Sequence, residues 1–266
     1  MTDVDEEEIL QGGVANAGAV VRSGRHVLRP SNPHSASIHA FLTWVRSRGF
    51  IGASEPVSID PDGRERLRFV PGDVPLSPYP AWAQTDEALA SVATLIRGLH
   101  DASLGLAFDG ETWSRELADR KGGPVMCHND VCLENVVFRD GRAVALLDFD
   151  FVAPGRREFD LAAFARMCVP IDDDVNSSRM GWTGIDKPAR LRVVCDAYGL
   201  DEAGRANVLL CLGGSIARGG EFVRRRVDAG EVAFIEMWNS MGGQERFDRR
   251  RRWWADNEER FADALR

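Results

Sequence analysis

Short runs of β-prone residues, separated by turn residues, mark the first quarter of the chain. Two of these runs flank Ser23-Gly24, and two more flank Pro61-Asp62-Gly63, so the pattern predicts two β-hairpins. The four candidate strands are residues 19–22, 25–29, 57–60 and 66–70. Residues 1–11, ahead of these runs, indicate a short helix or a frayed lead.

Between the two hairpins, residues 34–48 have apolar positions at helical spacing. The apolar face consists of Ile38, Phe41, Leu42 and Val45, and Gly49 supplies a stop signal. The pattern therefore predicts one helix within an otherwise β-rich front region. Prolines concentrated in residues 74–82 then predict a connector without regular structure.

The rest of the chain is mainly helical in pattern, apart from three short candidate strands. The strands are residues 124–127, 136–138 and 143–147. The helices are residues 85–100, 159–167, 187–198, 204–226 and 231–264. We therefore predict an α+β fold with a small β-rich lobe, residues 1–71, and a larger mainly α-helical lobe, residues 72–266.

Composition and charge narrow the classes of partner. The 266 residues are 44% hydrophobic and 28% charged, with a net charge of −8, so we expect no binding to nucleic acid or to an anionic membrane surface. No apolar run approaches the roughly 20 residues that a membrane span needs. The acidic start lacks the plan of a secretory signal, so we expect a cytoplasmic protein. The five cysteines show no metal-site spacing and are interpreted as reduced thiols.

Three oxygen-bearing side chains follow consecutive candidate strands. Asp130 begins the loop after residues 124–127, Asn135 ends that loop, and Asp148 follows residues 143–147. A turn at residues 140–142 folds the last strand back beside Asn135, so the three side chains converge. Hard oxygen ligands of this kind suit Mg²⁺. With Asn135 and Asp148 as the metal ligands, Asp130 is free to accept a proton from a hydroxyl.

The segment from His128 to Asn135 resembles the kinase catalytic loop, H-x-D-x-x-x-x-N, and the D-F-D at Asp148 stands where protein kinases have D-F-G. Because no arginine precedes Asp130, the segment looks more like the aminoglycoside phosphotransferase and choline kinase-like families, the phosphotransferase enzyme family. The specific motifs lie within residues 126–164. The resemblance implies a two-lobed protein-kinase-like fold.

The resemblance also implies roles for individual residues. Asp130 would position and deprotonate the acceptor hydroxyl as the catalytic base, while Asn135 and Asp148 would hold Mg²⁺. His128 would support catalysis by steadying the loop, and Asp160 would cap a helix over residues 161–167. The phosphoryl donor would be ATP or GTP.

The front lobe departs from the kinase pattern at its phosphate-binding cation. Kinases place a lysine on the third strand and pair it with a helix glutamate, but no lysine precedes Lys121. Arg29 is the predicted substitute, with Arg22 as the alternative. The helix over residues 34–48 contains no Asp or Glu, so any partner of Arg29 must come from elsewhere.

Two further segments of the front lobe are candidates for nucleotide contact. Gly12, Gly13 and Gly18 fall in a glycine-rich segment that could lie over the phosphates, although an ordinary loop explains them nearly as well. Phe69 and Val70 sit where such folds place the hinge that meets adenine.

The acceptor is open at this stage: an aminoglycoside, another amino alcohol or a sugar would each fit. Acidic side chains of the back lobe would suit a cationic acceptor and are equally normal on helix surfaces; they are Asp196, Glu221, Asp228 and Glu236. Residues 172–174 are interpreted as a solvated loop or a helix cap, and the arginines of residues 249–252 as a solvated helix face. We therefore predict an ATP- or GTP-dependent phosphotransferase acting on a small-molecule hydroxyl. The alternative is a catalytically weak kinase-like binding or regulatory protein, and homodimerisation is left open.

Overall fold

The computed structural model of the protein describes residues 7–10, 18–106 and 112–266. Its front part contains an antiparallel five-stranded sheet. The strands are β1 (Glu7–Ile9), β2 (Val21–Ser23), β3 (His26–Pro30), β4 (Pro56–Ile59) and β5 (Arg64–Arg68), in the order β1-β2-β3-β5-β4. Both predicted hairpins are therefore present. The β3–β5 pairing places Arg29 directly opposite Glu65.

Helix α1 (Ser35–Ser47) joins β3 to β4 and buries the face that its sequence pattern predicts. Ile38, Phe41, Leu42 and Val45 are at most 4% exposed and belong to the same core as α2 (Asp86–Ser103). The Thr85 side chain accepts the backbone N–H of Ala88 and so caps α2.

The back part combines two small sheets with six further helices among the described residues. The strands are β6 (Val125–Cys127), β7 (Val136–Arg139), β8 (Arg142–Leu146) and β9 (Ala153–Gly155), paired as β6-β9 and β7-β8. The helices are α3 (Arg157–Cys168), α4 (Asp174–Arg179), α5 (Lys187–Tyr198), α6 (Glu202–Asp228), α7 (Val232–Met241) and α8 (Gly243–Leu265).

Two backbone ties connect the front part of the chain to the β7–β8 hairpin. The N–H of Leu146 donates to the carbonyl of Gly52 at 2.9 Å. Asp73 and Phe138 exchange both of their backbone hydrogen bonds, each 2.8 Å long. Gly72 makes the second tie possible, because its φ is +149° and a Cβ there would lie 2.5 Å from the carbonyl oxygen of Phe138.

One hydrophobic core runs through both parts of the structure, from α1 across α2 and β7 to α3, α5 and α8. Trp182 lies within this core. Among the described residues, no helix combines the length and the apolar character that a bilayer span requires. The architecture, an antiparallel sheet followed by a mostly helical region, confirms the predicted α+β fold class.

Three local predictions are wrong. Residues 7–9 form an edge strand on β2 rather than a helix, because their backbone pairs with residues 21–23. The helix predicted over residues 231–264 is two helices, since Gly242 and Gly243 have φ values of +97° and +57°. Helix α4 was not predicted at all.

Candidate active site

The catalytic-loop motif forms a closed network between the ends of β6 and β8. The backbone N–H of Leu147 donates to the carbonyl of Asn135 at 2.8 Å, and the Asn135 side-chain amide donates to the carbonyl of Asp130 at 3.0 Å. His128 donates from Nε2 to the carbonyl of Leu147 at 2.8 Å and accepts the N–H of Asp130 at Nδ1. The structure therefore brings Asp130, Asn135 and the residue before Asp148 together.

Asp160 holds the start of this loop from α3. Its carboxylate accepts the backbone N–H groups of His128 at 2.8 Å and Asn129 at 2.7 Å, and Nε2 of His100 at 2.9 Å. Asp160 and both histidines are 0% exposed. Burial opposes ionisation of Asp160, but hydrogen bonding and the charge of His100 outweigh it and lower its pKa.

The predicted capping role of Asp160 is wrong. Helix α3 begins at Arg157 with Arg156 at the N-cap, so Asp160 lies inside the first turn. From there its side chain can face the loop instead of its own helix. Asn129 needs this support, because it adopts a left-handed backbone conformation with φ of +69°, which is strained for a residue other than glycine.

Asp130 has a carboxylate with no hydrogen bond or ion pair to any residue in the described ranges. Burial and, after it, the negative charge of Asp148 together raise the pKa of Asp130 to about 6. The group is therefore mostly ionised at neutral pH, close to a second carboxylate, and free to take up a proton. This is the arrangement that a general base requires.

Arg29, on β3, bridges the two aspartates of the D-F-D segment. Its guanidinium contacts Oδ1 of Asp148 at 3.1 Å and makes a short hydrogen bond to Oδ1 of Asp150. The side chain is only 8% exposed. Burial favours the neutral guanidine, but the charges of Asp148, Asp150 and Glu65 raise the pKa of Arg29 above its usual value. Arg29 is thus a fixed positive charge beside the predicted metal ligands.

Glu65 supplies the acidic residue that α1 lacks. It is 2% exposed on β5, beside Arg29, and accepts a hydrogen bond from Ser35 of α1. His39, one turn further along α1, lies 3.4 Å from its other carboxylate oxygen. Arg29 thus lies on a strand, as the kinase lysine does, but the carboxylate of Glu65 also lies on a strand rather than on the helix.

The residues present fit a magnesium ion. Within the described part of the chain, Oδ1 of Asn135 and Oδ2 of Asp148 accept no hydrogen bond, so two oxygen donors on adjacent segments are available. Asp148 has φ of +59°, and its side chain is 35% exposed. Asp150, the other aspartate of the segment, instead accepts from both Arg29 and Asn32. Hard oxygen donors beside clustered carboxylates are what Mg²⁺ prefers.

A cavity of about 20 Å³ lies behind Arg29, between α1, β5 and the D-F-D segment. A space of this size holds about one water molecule, whereas small-molecule pockets are typically hundreds of Å³. The cavity is therefore a packing gap around the ion pairs.

The remaining predicted nucleotide contacts are spread over the front part. Phe69 and Val70 follow β5 directly and precede the tie at Asp73. Gly18 lies in a turn with φ of +79° just before β2. Gly12 and Gly13 lie outside the described residues. Arg22, the alternative to Arg29, packs its guanidinium over the Phe69 ring at 4.1 Å, so it is not the arginine that meets Asp148.

Sequence reasoning missed several residues that hold the site together. Glu65, Asn32 and His100 contact Arg29, Asp150 and Asp160 respectively from more than 35 residues away. Glu65 is the buried position of β5 and lies between two arginines that are less buried. The predicted strand began at residue 66 and therefore left Glu65 out. His100 and Asn32 carry no local signal of this kind.

The arginine run at residues 249–252 is not a fully solvated face, contrary to the prediction. Arg250 is 6% exposed and donates to the carbonyls of Ile171 and Arg166. Arg249 pairs with Asp173 at 3.2 Å. The α8 aromatics Trp254 and Phe261 are buried.

Comparison with known proteins is consistent with this geometry. Residues 107–194 match the phosphotransferase enzyme family. The trifolitoxin immunity protein of Rhizobium leguminosarum bv. trifolii is 29% identical over 208 residues, covering 76% of this chain and 77% of that protein. Among solved structures, a choline/ethanolamine kinase family protein from Mesorhizobium loti superposes with a TM-score of 0.65 at 17% identity, covering 98% of this chain and 92% of that one. Aminoglycoside 2'-phosphotransferase-IIIa superposes with a TM-score of 0.58 at 14% identity, covering 96% and 94%.

The solved structures show that the chain has a protein-kinase-like fold, and residues 107–194 are similar to the phosphotransferase enzyme family. The resemblance to the phosphotransferase enzyme family that the catalytic-loop motif indicates is confirmed by the match over residues 107–194.

Proposed function

We propose that the protein transfers the terminal phosphoryl group of ATP or GTP to a hydroxyl of a small molecule. The observation that carries this proposal is the free carboxylate of Asp130, held beside the available oxygens of Asn135 and Asp148. The solved relatives support a nucleotide as donor, because one of them, aminoglycoside 2'-phosphotransferase-IIIa, is a GDP complex.

The proposed reaction is an in-line displacement at the terminal phosphorus. The acceptor oxygen forms the new bond to phosphorus while the bond to the bridging oxygen breaks and the nucleoside diphosphate leaves. The hydroxyl proton goes to the carboxylate of Asp130. The backbone N–H of Asp130 donates to Nδ1 of His128, which holds the residue in place. Positioning and charge neutralisation supply most of the rate enhancement in such reactions.

Magnesium, held by Asn135 and Asp148, would neutralise charge on the transferred group. Arg29 would contact the phosphates, with Gly12, Gly13 and Gly18 near them and Phe69 and Val70 against the base. In this proposal residues 1–71 form the nucleotide-binding lobe and residues 72–266 carry catalysis and acceptor binding.

A second candidate is a catalytically weak kinase-like protein that acts by binding. The Arg29–Asp148 ion pair favours it, because an arginine already engages a predicted metal ligand and no lysine occupies the usual position. The relative named for immunity to trifolitoxin suggests that this chain also protects against a toxin. Protection could proceed by phosphorylating the toxin or by binding it.

Calorimetric titration of ATP and GTP, with and without Mg²⁺, separates the two candidates. Phosphotransfer requires magnesium-dependent binding of one nucleotide by the wild type and weaker binding by Asp148→Ala. Nucleotide consumption must then depend on an added acceptor. No binding of either nucleotide would reject the phosphotransferase and favour the binding protein. Asp263→Asn, an exposed change on α8, is the control for nonspecific effects.

A further inference from the structure

Arg166, on α3, is an unpaired cation close to the proposed base. Its Nε is buried without a hydrogen-bond acceptor, and within the described residues its side chain has no carboxylate within 4.0 Å. The side chain is half-buried, so its end reaches solvent. Asp130 lies near enough for each group to shift the pKa of the other. Cys168, two residues further along α3, contacts the carbonyl of Val131, the residue after Asp130, at 3.8 Å, so Arg166 lies on the part of α3 that packs against the catalytic loop.

Helix α6 is shaped around this guanidinium. A Cβ built at Gly219 would lie 2.7 Å from Nη1 of Arg166 and 3.0 Å from its Cζ. Glycine in a helix interior is less stable than alanine. At residue 219 it lets the guanidinium approach the helix closely, which alanine would prevent. Gly219 thus leaves room for the Arg166 guanidinium against α6.

A second arginine of this cluster has a buried Nε without a hydrogen-bond acceptor. Arg246, on α8, also has a buried Nε without an acceptor, and its nearest carboxylate oxygen, on Asp172, is 3.5 Å from Nη2. Burial, followed by the positive charge of Arg250, lowers the pKa of Arg166 and of Arg246 to about 10 each. Both side chains remain charged at neutral pH. Buried charge without a partner is costly, so Arg166 is a poor structural choice, whereas Arg246 is paired with Asp172.

The acidic residues around this cluster leave the positive charge in excess. Asp172 forms ion pairs with both Arg246 and Arg250, each at 3.5 Å. Asp173 forms an ion pair with Arg249. The acidic side chains that would have suited a cationic acceptor are exposed, and Asp196 is already paired with Arg192 and Arg205. The arginine cluster of α3 and α8 therefore carries an excess of positive charge, whereas the other charges that act on Asp130 include the carboxylates of Asp148 and Glu134.

We propose that Arg166, assisted by Arg246, binds an anionic group of the acceptor, a carboxylate or a phosphate monoester, and orients the acceptor hydroxyl toward Asp130. The inference rests on the proposed phosphotransfer for the identity of the ligand as an acceptor. It excludes a polycationic aminoglycoside as the preferred substrate. Arginine suits both anions because its fork of donors matches their oxygens.

The test compares glycerol, glycerate and glycerol 3-phosphate as binding probes of the full chain, by calorimetry at constant ionic strength. These probes share hydroxyl groups and differ in the anion. We expect the wild type to bind the two anions at least about 10-fold more tightly than glycerol, and Arg166→Gln to lose about 10- to 100-fold of that affinity. Arg142→Gln, an exposed change on the β7–β8 hairpin, should bind like the wild type. Equal affinity for glycerol and the anions, or loss in both variants alike, would overturn the anion site.

The Gly219→Ala variant keeps the positive charge of Arg166 but changes the position of its guanidinium. The added methyl group displaces the guanidinium, while alanine favours the helix. We expect unchanged or higher thermal stability together with anion binding weakened by about 10-fold, because charge-assisted hydrogen bonds depend on position. A purely structural arginine would instead show loss of stability in Arg166→Gln and no change in probe affinity in Gly219→Ala.

The same samples separate failure of this inference from failure of the proposed function. Binding of magnesium–ATP without any preference for anionic probes would reject the anion site alone. Anion binding that Arg166→Gln abolishes, with no nucleotide binding, would reject phosphotransfer and, with it, the assignment of the anion to an acceptor.

Discussion

Asp160 accepts the backbone N–H of Asn129 at 2.7 Å, across 31 residues of sequence. The contact matters because Asn129 is in a left-handed conformation that places the next residue, Asp130, on the open side of the loop. A buried carboxylate on α3 therefore offsets the strain that the catalytic loop carries. This hydrogen bond therefore links helix α3 to the loop that carries the proposed base, Asp130.

Asp160→Asn should destabilise the protein by about 2–4 kcal/mol, since a buried, multiply hydrogen-bonded charge is lost beside His100. The pKa of Asp160 is lowered in the folded state, so its contribution is complete above the unfolded pKa, about 3.9, and disappears as the pH falls through the folded pKa. The stability gap between wild type and variant, measured by urea denaturation, should therefore narrow below about pH 4. A gap that stays constant down to pH 3 would contradict this account.

Asp130→Asn should lower kcat by about 10²- to 10⁴-fold, the usual contribution of a general base. Nucleotide affinity should change little, because the Asp130 carboxylate contacts no described residue and its removal relieves repulsion with Asp148. Single-turnover phosphotransfer and calorimetry measure the two quantities on the same preparation. Turnover at the wild-type rate would remove Asp130 from the mechanism.

Arg29→Met should expose the mutual repulsion of Asp148 and Asp150, at a cost of about 3–5 kcal/mol, because one partner of a buried ion-pair network is lost. Added Mg²⁺ should raise the melting temperature of the variant more than that of the wild type, since the ion then supplies the missing positive charge. Arg29→Lys, which keeps a charge but not the bidentate fork, should fall between the two. Equal magnesium responses in all three proteins would show that the ion does not bind beside Arg29.

Gly72→Ala should destabilise the protein by more than about 2 kcal/mol, because a Cβ would meet the Phe138 carbonyl oxygen in a conformation that alanine avoids. Gly63→Ala is the matched control: its φ is +83°, but nothing lies within 4 Å of the added carbon, so only about 1 kcal/mol of backbone strain is expected. Chemical denaturation of both variants gives the comparison. Similar losses in the two would mean that the close approach to Phe138 is unimportant.

The sequence pattern was sufficient to predict elements whose bounds are set by residues nearby in the sequence. The predicted bounds of the helix over residues 187–198 agree with α5, where Asp186 caps the start and Gly199 ends the helix in a left-handed conformation. The apolar face of α1 is likewise confirmed. The catalytic-loop segment could be located because strand, loop and strand follow one another directly.

Features that depend on pairing between distant segments could not be predicted in this way. The partner of Arg29 on the neighbouring strand is Glu65, and only the sheet order, with β5 between β3 and β4, places them side by side. Burial of Arg250 depends on α8 crossing the end of α3. Periodicity places Arg250 on a helix but carries no information about which carbonyl groups that helix meets.

The two backbone ties, at Gly52–Leu146 and at Asp73–Phe138, act together with side-chain contacts. Arg29 and Asn32 reach Asp148 and Asp150 from the front part of the chain, and the hydrophobic core continues through both parts. We therefore expect the front sheet and the β7–β8 hairpin to unfold as one cooperative unit rather than separately.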